Sequence, residues 1–89
     1  MKLKQFEIVM STAGRDIGNI YIVKEIVDEN YVNLIDGKAK TLTKPKLKKQ
    51  KHLVSLNSVE EQLHEVFNDK SKINDGVIRK ILKNYEKFE

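Results

Sequence analysis

The stretch NIYIVKEIVDENYVNLIDG, residues 19–37, decides the fold. Its first nine positions are dense in β-branched and aromatic side chains, which suit a pleated, half-buried surface. Asp28, Glu29 and Asn30 follow. Short polar side chains of this kind bond their own backbone and tolerate the left-handed region, so they mark a turn. YVNLI then resumes the apolar run, and Asp36-Gly37 closes it. Glycine accepts the positive φ that a two-residue hairpin turn requires. The stretch therefore predicts two antiparallel strands, with a third to follow Gly37.

Outward from this hairpin the same texture continues. Upstream, QFEIVMS alternates, with Phe6, Ile8 and Met10 on one face and Glu7 and Val9 on the other. Downstream, KAKTLT alternates again. Pro45 lacks a backbone donor and marks a sheet edge or a strand boundary. KHLVSL supplies a last short strand. Five short strands at this spacing predict a small barrel or sandwich over residues 1–57.

Residues 58–89 have a helical texture and predict a C-terminal appendage. Ser58 and Glu61 form a capping-box pair, and Val59, Leu63, Val66 and Phe67 recur on one helix face. NDKSKIND interrupts the pattern. Asn74 or Asp75 can cap a second helix, whose apolar stripe is Val77, Ile78, Ile81, Leu82 and Tyr85. Two short amphipathic helices joined by a polar loop predict a helical hairpin. Neither is long enough to be stable alone, so both stripes require a packing partner.

The chain has 89 residues and a net charge of +4. Residues 1–57 carry eleven Lys and Arg against six Asp and Glu, whereas residues 58–89 carry six against seven. Seven lysines lie between Lys38 and Lys51 with no acid among them. Such a local field attracts polyanions, and nucleic acid is the expected partner. No stretch is long and apolar enough to span a membrane. The N-terminal apolar run is short and broken by Glu7, so no signal peptide is expected. Without cysteine there is no disulfide or thiolate ligand, and a cytoplasmic location is expected.

Catalytic chemistry finds no support in the residues. His52 and His64 form no ligand-spaced pair, and His64 reads as a helix-surface residue. Glu60-Glu61 suits the first turn of a helix, where carboxylates complement the dipole. The GRDIG loop, with Gly14 and Gly18, has too few glycines for a dinucleotide fingerprint and no following helix. No Gly-Lys-Ser/Thr is present for a phosphate loop. The expectation is a protein that is not an enzyme, with no cofactor, no metal and no small-molecule substrate.

Residues 10–37, MSTAGRDIGNIYIVKEIVDENYVNLIDG, resemble a KOW motif. Gly18 falls at the glycine that is invariant in that family, and Gly14 matches a common companion. The order of GRDIG loop, long strand, Asp-x-Asn turn and strand ending in Asp-Gly is similar to the KOW segment of ribosomal proteins. TKPKLKKQKHL looks like the tail of short bacterial KOW-containing RNA-binding proteins. The resemblance covers roughly residues 4–55 and leaves the helices outside it. It implies an SH3-like five-stranded β-barrel and RNA binding at or near the ribosome, with structured ribosomal RNA as the usual ligand.

On that expectation Gly14, Gly18 and Gly37 are structural loop positions that shape the backbone. Arg15 projects from the loop tip, where it can fork two hydrogen bonds to phosphate or stack on a base. An Arg15–Asp16 neighbour contact is the simpler alternative. Ser11 and Thr12 lie beside it and can donate to phosphate. Lys38, Lys40, Lys44, Lys46, Lys48, Lys49 and Lys51 supply phosphate contacts. Lys44, Lys46, Lys48 and Lys49 are favoured, because they flank Pro45 in an edge segment. His52 either meets a base or phosphate or caps a strand. Tyr21 and Tyr31 can stack on bases, though their strand positions favour packing. The alternative function is a protein-interaction adaptor, because SH3-like barrels also bind peptides and the helices' apolar stripes can dock a protein.

Overall fold

The computed structural model describes residues 3–57, 74–83 and 85. Five strands form one antiparallel sheet: β1 (Ile8–Ser11), β2 (Ile20–Ile26), β3 (Tyr31–Ile35), β4 (Lys46–Lys49) and β5 (Leu53–Asn57). A 3-10 turn, Gln50–His52, links β4 to β5. Strand order across the sheet is β4-β3-β2-β1-β5.

The β2–β3 hairpin forms as its residues dictate. Asp28 Oδ1 accepts from the backbone N–H of Asn30 at 2.8 Å and of Tyr31 at 2.9 Å, which closes the β2–β3 turn. Pairing sets Ile22 opposite Ile35 and Val23 opposite Leu34, and a register shift follows between Val23 and Glu25. A second shift between Ile8 and Val9 bends β1 against β5. Such irregularities raise local twist and let a short sheet curl.

The expected closed SH3-like barrel does not form. β4 and β5 are the two edges of an open sheet and share no ladder. Only the three residues of the 3-10 turn separate them. That tether holds the ends of the edge strands within about 14 Å, given the reach of an extended chain. The sheet is therefore curled toward closure without the strand-to-strand hydrogen bonds that would complete it.

KAKTLT is not a strand either, and Asp36-Gly37 does not turn directly into one. Asp36 Oδ1 accepts from the N–H groups of Lys38 and Lys40, at 2.8 and 3.0 Å. Thr41 and Lys44 exchange backbone bonds at 3.2 and 3.1 Å. These local bonds, with the Leu42 N–H donating to Asp75 Oδ1 and Lys24 Nζ to the Leu42 carbonyl, engage the segment without a sheet partner, so alternation there has no ladder to join. Pairing with β3 resumes only after Pro45, and β4 is an edge strand, as a proline at its margin predicts.

Each face of the sheet carries a hydrophobic cluster. On one, Leu3, Val9, Tyr21, Val23, Val32, Leu34 and Leu53 form a core within the curl. On the other, Phe6, Ile8, Ile22 and Ile35 pack against Ile78 and Leu82 of helix α1 (Asp75–Lys83). Burying Ile78 and Leu82 stabilises the fold by roughly 1.5–3 kcal/mol each. A nine-residue helix needs that burial, because it is too short to persist alone.

α1 is the only helix longer than one turn among the described residues, so within them the expected helical hairpin is corrected to one short helix. The other expected helix, with Ser58, Val59, Leu63, Val66 and Phe67, lies outside the described residues, as does His64. No helix among the described residues is long and apolar enough to cross a membrane.

Asn74 caps α1, with its Oδ1 accepting from the Val77 N–H at 2.9 Å. Asn74→Ala is expected to cost about 1 kcal/mol. A thermal melt should register this as a fall of roughly 4–8 °C. An unchanged midpoint would show that the cap contributes nothing.

Candidate nucleic-acid interface

The β1–β2 loop, residues 12–19, is organised by its own backbone. Ser11 and Asn19 pair through the Ser11 N–H and the Asn19 carbonyl at 2.9 Å. Gly18 N–H returns to the Ser11 carbonyl at 2.9 Å, and Asn19 N–H bonds the Asp16 carbonyl at the same distance. Gly14 and Gly18 have φ of +89° and +90°, and Gly37 has +76°. All three glycines the sequence marks as loop positions thus lie in the left-handed region that their lack of a Cβ permits.

The loop separates its charged pair. Arg15 is exposed at the tip, whereas Asp16 turns inward and is 9% exposed. Asp16 Oδ1 accepts from Lys48 Nζ at 2.6 Å and from the Ser11 hydroxyl at 2.8 Å. Its Oδ2 accepts from the Tyr21 hydroxyl at 2.8 Å and lies 3.3 Å from Lys46 Nζ. Lys48 Nζ also donates to the Ala13 carbonyl at 2.9 Å. One carboxylate therefore ties β1, β2 and the loop to edge strand β4.

The protonation states follow from this geometry. Burial alone would raise the Asp16 carboxyl. The hydrogen bonds from Lys48, Ser11, Tyr21 and Lys46 outweigh it and hold the group well below the usual carboxylate range. Burial is also the main cause at Tyr21, and the adjacent Asp16 charge adds to it, so the phenol is pushed up to about 12. Asp16 stays ionised and Tyr21 stays a hydrogen-bond donor throughout the neutral range.

Register explains which lysines are consumed. Lys48 pairs across from Val32 and Lys46 from Leu34, so both share the inner face of the curl with those core residues. Leu47 and Lys49 face outward, and Leu47 is 56% exposed. The edge strand is thus inverted, with lysines inside and leucine outside. Inward-pointing charge on an edge strand opposes pairing with another chain. Burying Lys48 is tolerable because Asp16 and the Ala13 carbonyl satisfy it.

The expected RNA-contacting residues therefore divide. Lys48 and Ser11 are buried and engaged with Asp16, so neither hydroxyl nor ammonium points to solvent. Lys46 is half-buried against the same carboxylate. Arg15, Thr12, Lys38, Lys44, Lys49 and Lys51 are exposed, and Lys40 and His52 are half-buried. The His52 carbonyl accepts from the Thr12 N–H at 2.8 Å, which joins the loop to the 3-10 turn. Tyr21 packs in the core, as its strand position predicts, while Tyr31 is half-buried with Lys49 Nζ 6.0 Å from its ring centroid.

Sequence reasoning missed two features. The sequence presents Asp16 as a neighbour of Arg15, and Tyr31 and Lys49 as separate groups. The available signal for both is the Lys-Leu-Lys-Lys pattern after Pro45. Strict alternation there sends Lys46 and Lys48 to the face opposite Leu47 and Lys49. An inward lysine requires a buried acid. No family model matches this chain, and no curated protein matches it.

Proposed function

We propose that this protein is an RNA-binding module, with structured ribosomal RNA as the ligand class that the KOW resemblance implies. One observation carries the reading. Arg15, Lys44, Lys49 and Lys51 are exposed, and none pairs with a carboxylate among the described residues. Lys44, Lys49 and Lys51 follow the edge strand from the approach to β4 into the 3-10 turn. Arg15 sits on the loop that Asp16 clamps to that same strand. Lysine is a flexible point charge, so these groups set affinity more than sequence choice.

Binding should weaken steeply with salt, because each neutralised phosphate releases counterions. The triple variant Lys44→Gln, Lys49→Gln, Lys51→Gln is expected to flatten the log–log salt slope by about 2 on single-stranded RNA. Filter binding at graded salt measures it, and co-sedimentation with ribosomal particles tests the ligand class. An unchanged slope, or no RNA binding by the wild type at low salt, would overturn the reading. A partner that persists after ribonuclease digestion would point to the adaptor function instead.

A further inference from the structure

The Asp16 cluster and the exposed lysines are absorbed by the site above, but an open cleft of about 600 Å³ beside Tyr31 is not. We propose that this cleft takes one unpaired base of a single-stranded RNA segment. The inference deepens the RNA-binding reading and rests on it.

The cleft lies between the β2–β3 turn and the 3-10 turn. Leu3 and Leu53 line it, at 6% and 7% exposure, and Tyr31 adds an aromatic ring. Lys49, Lys51, Glu29 and Asn30 complete its lining. Gln50 fixes the two walls. Its Oε1 accepts from the Leu3 N–H at 3.0 Å, and its Nε2 donates to the carbonyls of Asp28 and Glu29 at 3.3 and 3.2 Å. The Gln50 N–H bonds the Asn30 carbonyl at 2.7 Å. A cleft braced in this way is preformed, so a ligand bears little ordering cost.

The lining matches the chemistry of a nucleotide. A base has a flat face that stacks on an aromatic ring, and a polar edge that needs donors and acceptors. Tyr31 supplies the ring, and Lys49 Nζ lies over it at 6.0 Å from the centroid. Glu29 and Asn30 are exposed. A carboxylate accepts from a base amino group and an amide both donates and accepts. Lys49 and Lys51 meet the flanking phosphates. Glu29 repels phosphate, so the charges also orient the nucleotide, with its base edge toward Glu29 and its backbone toward the lysines. The same acid disfavours an acidic peptide in the cleft.

The test compares labelled decauridine with an abasic ribose-phosphate oligomer of equal length, by fluorescence anisotropy on the wild-type chain. The abasic oligomer should bind roughly 5- to 100-fold more weakly, with an unchanged salt slope. Tyr31→Leu should show the same loss on decauridine and no further loss on the abasic oligomer, while Tyr31→Phe binds as wild type. Ultraviolet cross-linking of decauridine to the wild type should map to the Tyr31 peptide, which keeps the test decisive if Tyr31→Leu does not fold. Equal affinity for both oligomers, or a cross-link mapped away from the cleft, would overturn the base site and leave the charge-based reading standing. Absence of binding to either oligomer at low salt would remove both.

Discussion

Asp16→Ala is expected to lower stability by about 3–5 kcal/mol, the range for breaking a buried ion pair by removing one partner. The substitution leaves Lys48, 9% exposed, without its carboxylate. It also removes the acceptor for the Tyr21 hydroxyl and one of the two acceptors of the Ser11 hydroxyl. A loss of that size approaches the whole stability of a small domain, commonly about 5–15 kcal/mol. Urea denaturation of the two proteins measures the difference. Adding Lys48→Met to Asp16→Ala should recover part of the loss, because an apolar chain replaces the orphaned charge. If Asp16→Ala melts like the wild type, the clamp is not a stability element.

The same carboxylate predicts the acid limb of the stability curve. Its pKa is depressed in the folded state, from an ordinary value of 3.8. The stabilisation is therefore complete above the unfolded value and is lost as pH falls through it toward the lower folded value. Wild-type stability should drop as pH falls below about 5, and Asp16→Asn should show a shallower drop. Equal slopes would show that other carboxylates set the acid limb.

Gly37→Ala is the second large effect, at about 3 kcal/mol from strain and overpacking together. A Cβ on Gly37 would collide with the Asp75 carbonyl and with Arg79 Cγ of α1, at a φ of +76°. Arg79 also donates to the Gly37 carbonyl at 2.5 Å, and Leu42 N–H to Asp75 Oδ1 at 3.0 Å. The Asp-Gly turn is thus the seat of the helix N-terminus. Gly18→Ala is the internal comparison. Its φ is +90°, but a Cβ there would meet nothing within 4 Å, so only backbone strain of about 1–2 kcal/mol applies. Thermal melts of both variants test the contrast. Equal losses would show that docking of α1 against Gly37 is immaterial.

Much of the fold was legible where short-range chemistry decides it. The β2 and β3 strands follow from β-branched and aromatic runs, and the turn between them from Asp28 bonding the next two backbone donors. Asn74 and the stripe through Ile78 and Leu82 announce α1. KAKTLT misled because alternation is necessary for a strand but a ladder partner is also required. Asp36 and Thr41 bond part of that backbone locally, and Asp75 takes the Leu42 N–H. The site was half legible. Arg15, Lys44, Lys49 and Lys51 are exposed, yet Lys46 and Lys48, two of the four favoured lysines, turn inward.

By itself, then, the amino-acid sequence determined the strand-forming runs, the left-handed glycines, the cap of the helix and the concentration of basic charge before residue 52. Each depends on contacts within a few residues. Only the tertiary structure decided that the sheet stays open, that the helix seats on Gly37, and which lysines remain exposed. Those outcomes rest on long-range pairs such as Asp16 with Lys48, 32 residues apart, and Gly37 with Arg79, 42 apart. An alternating lysine strand has no preferred face until an acid from elsewhere in the chain makes burying one side of it affordable.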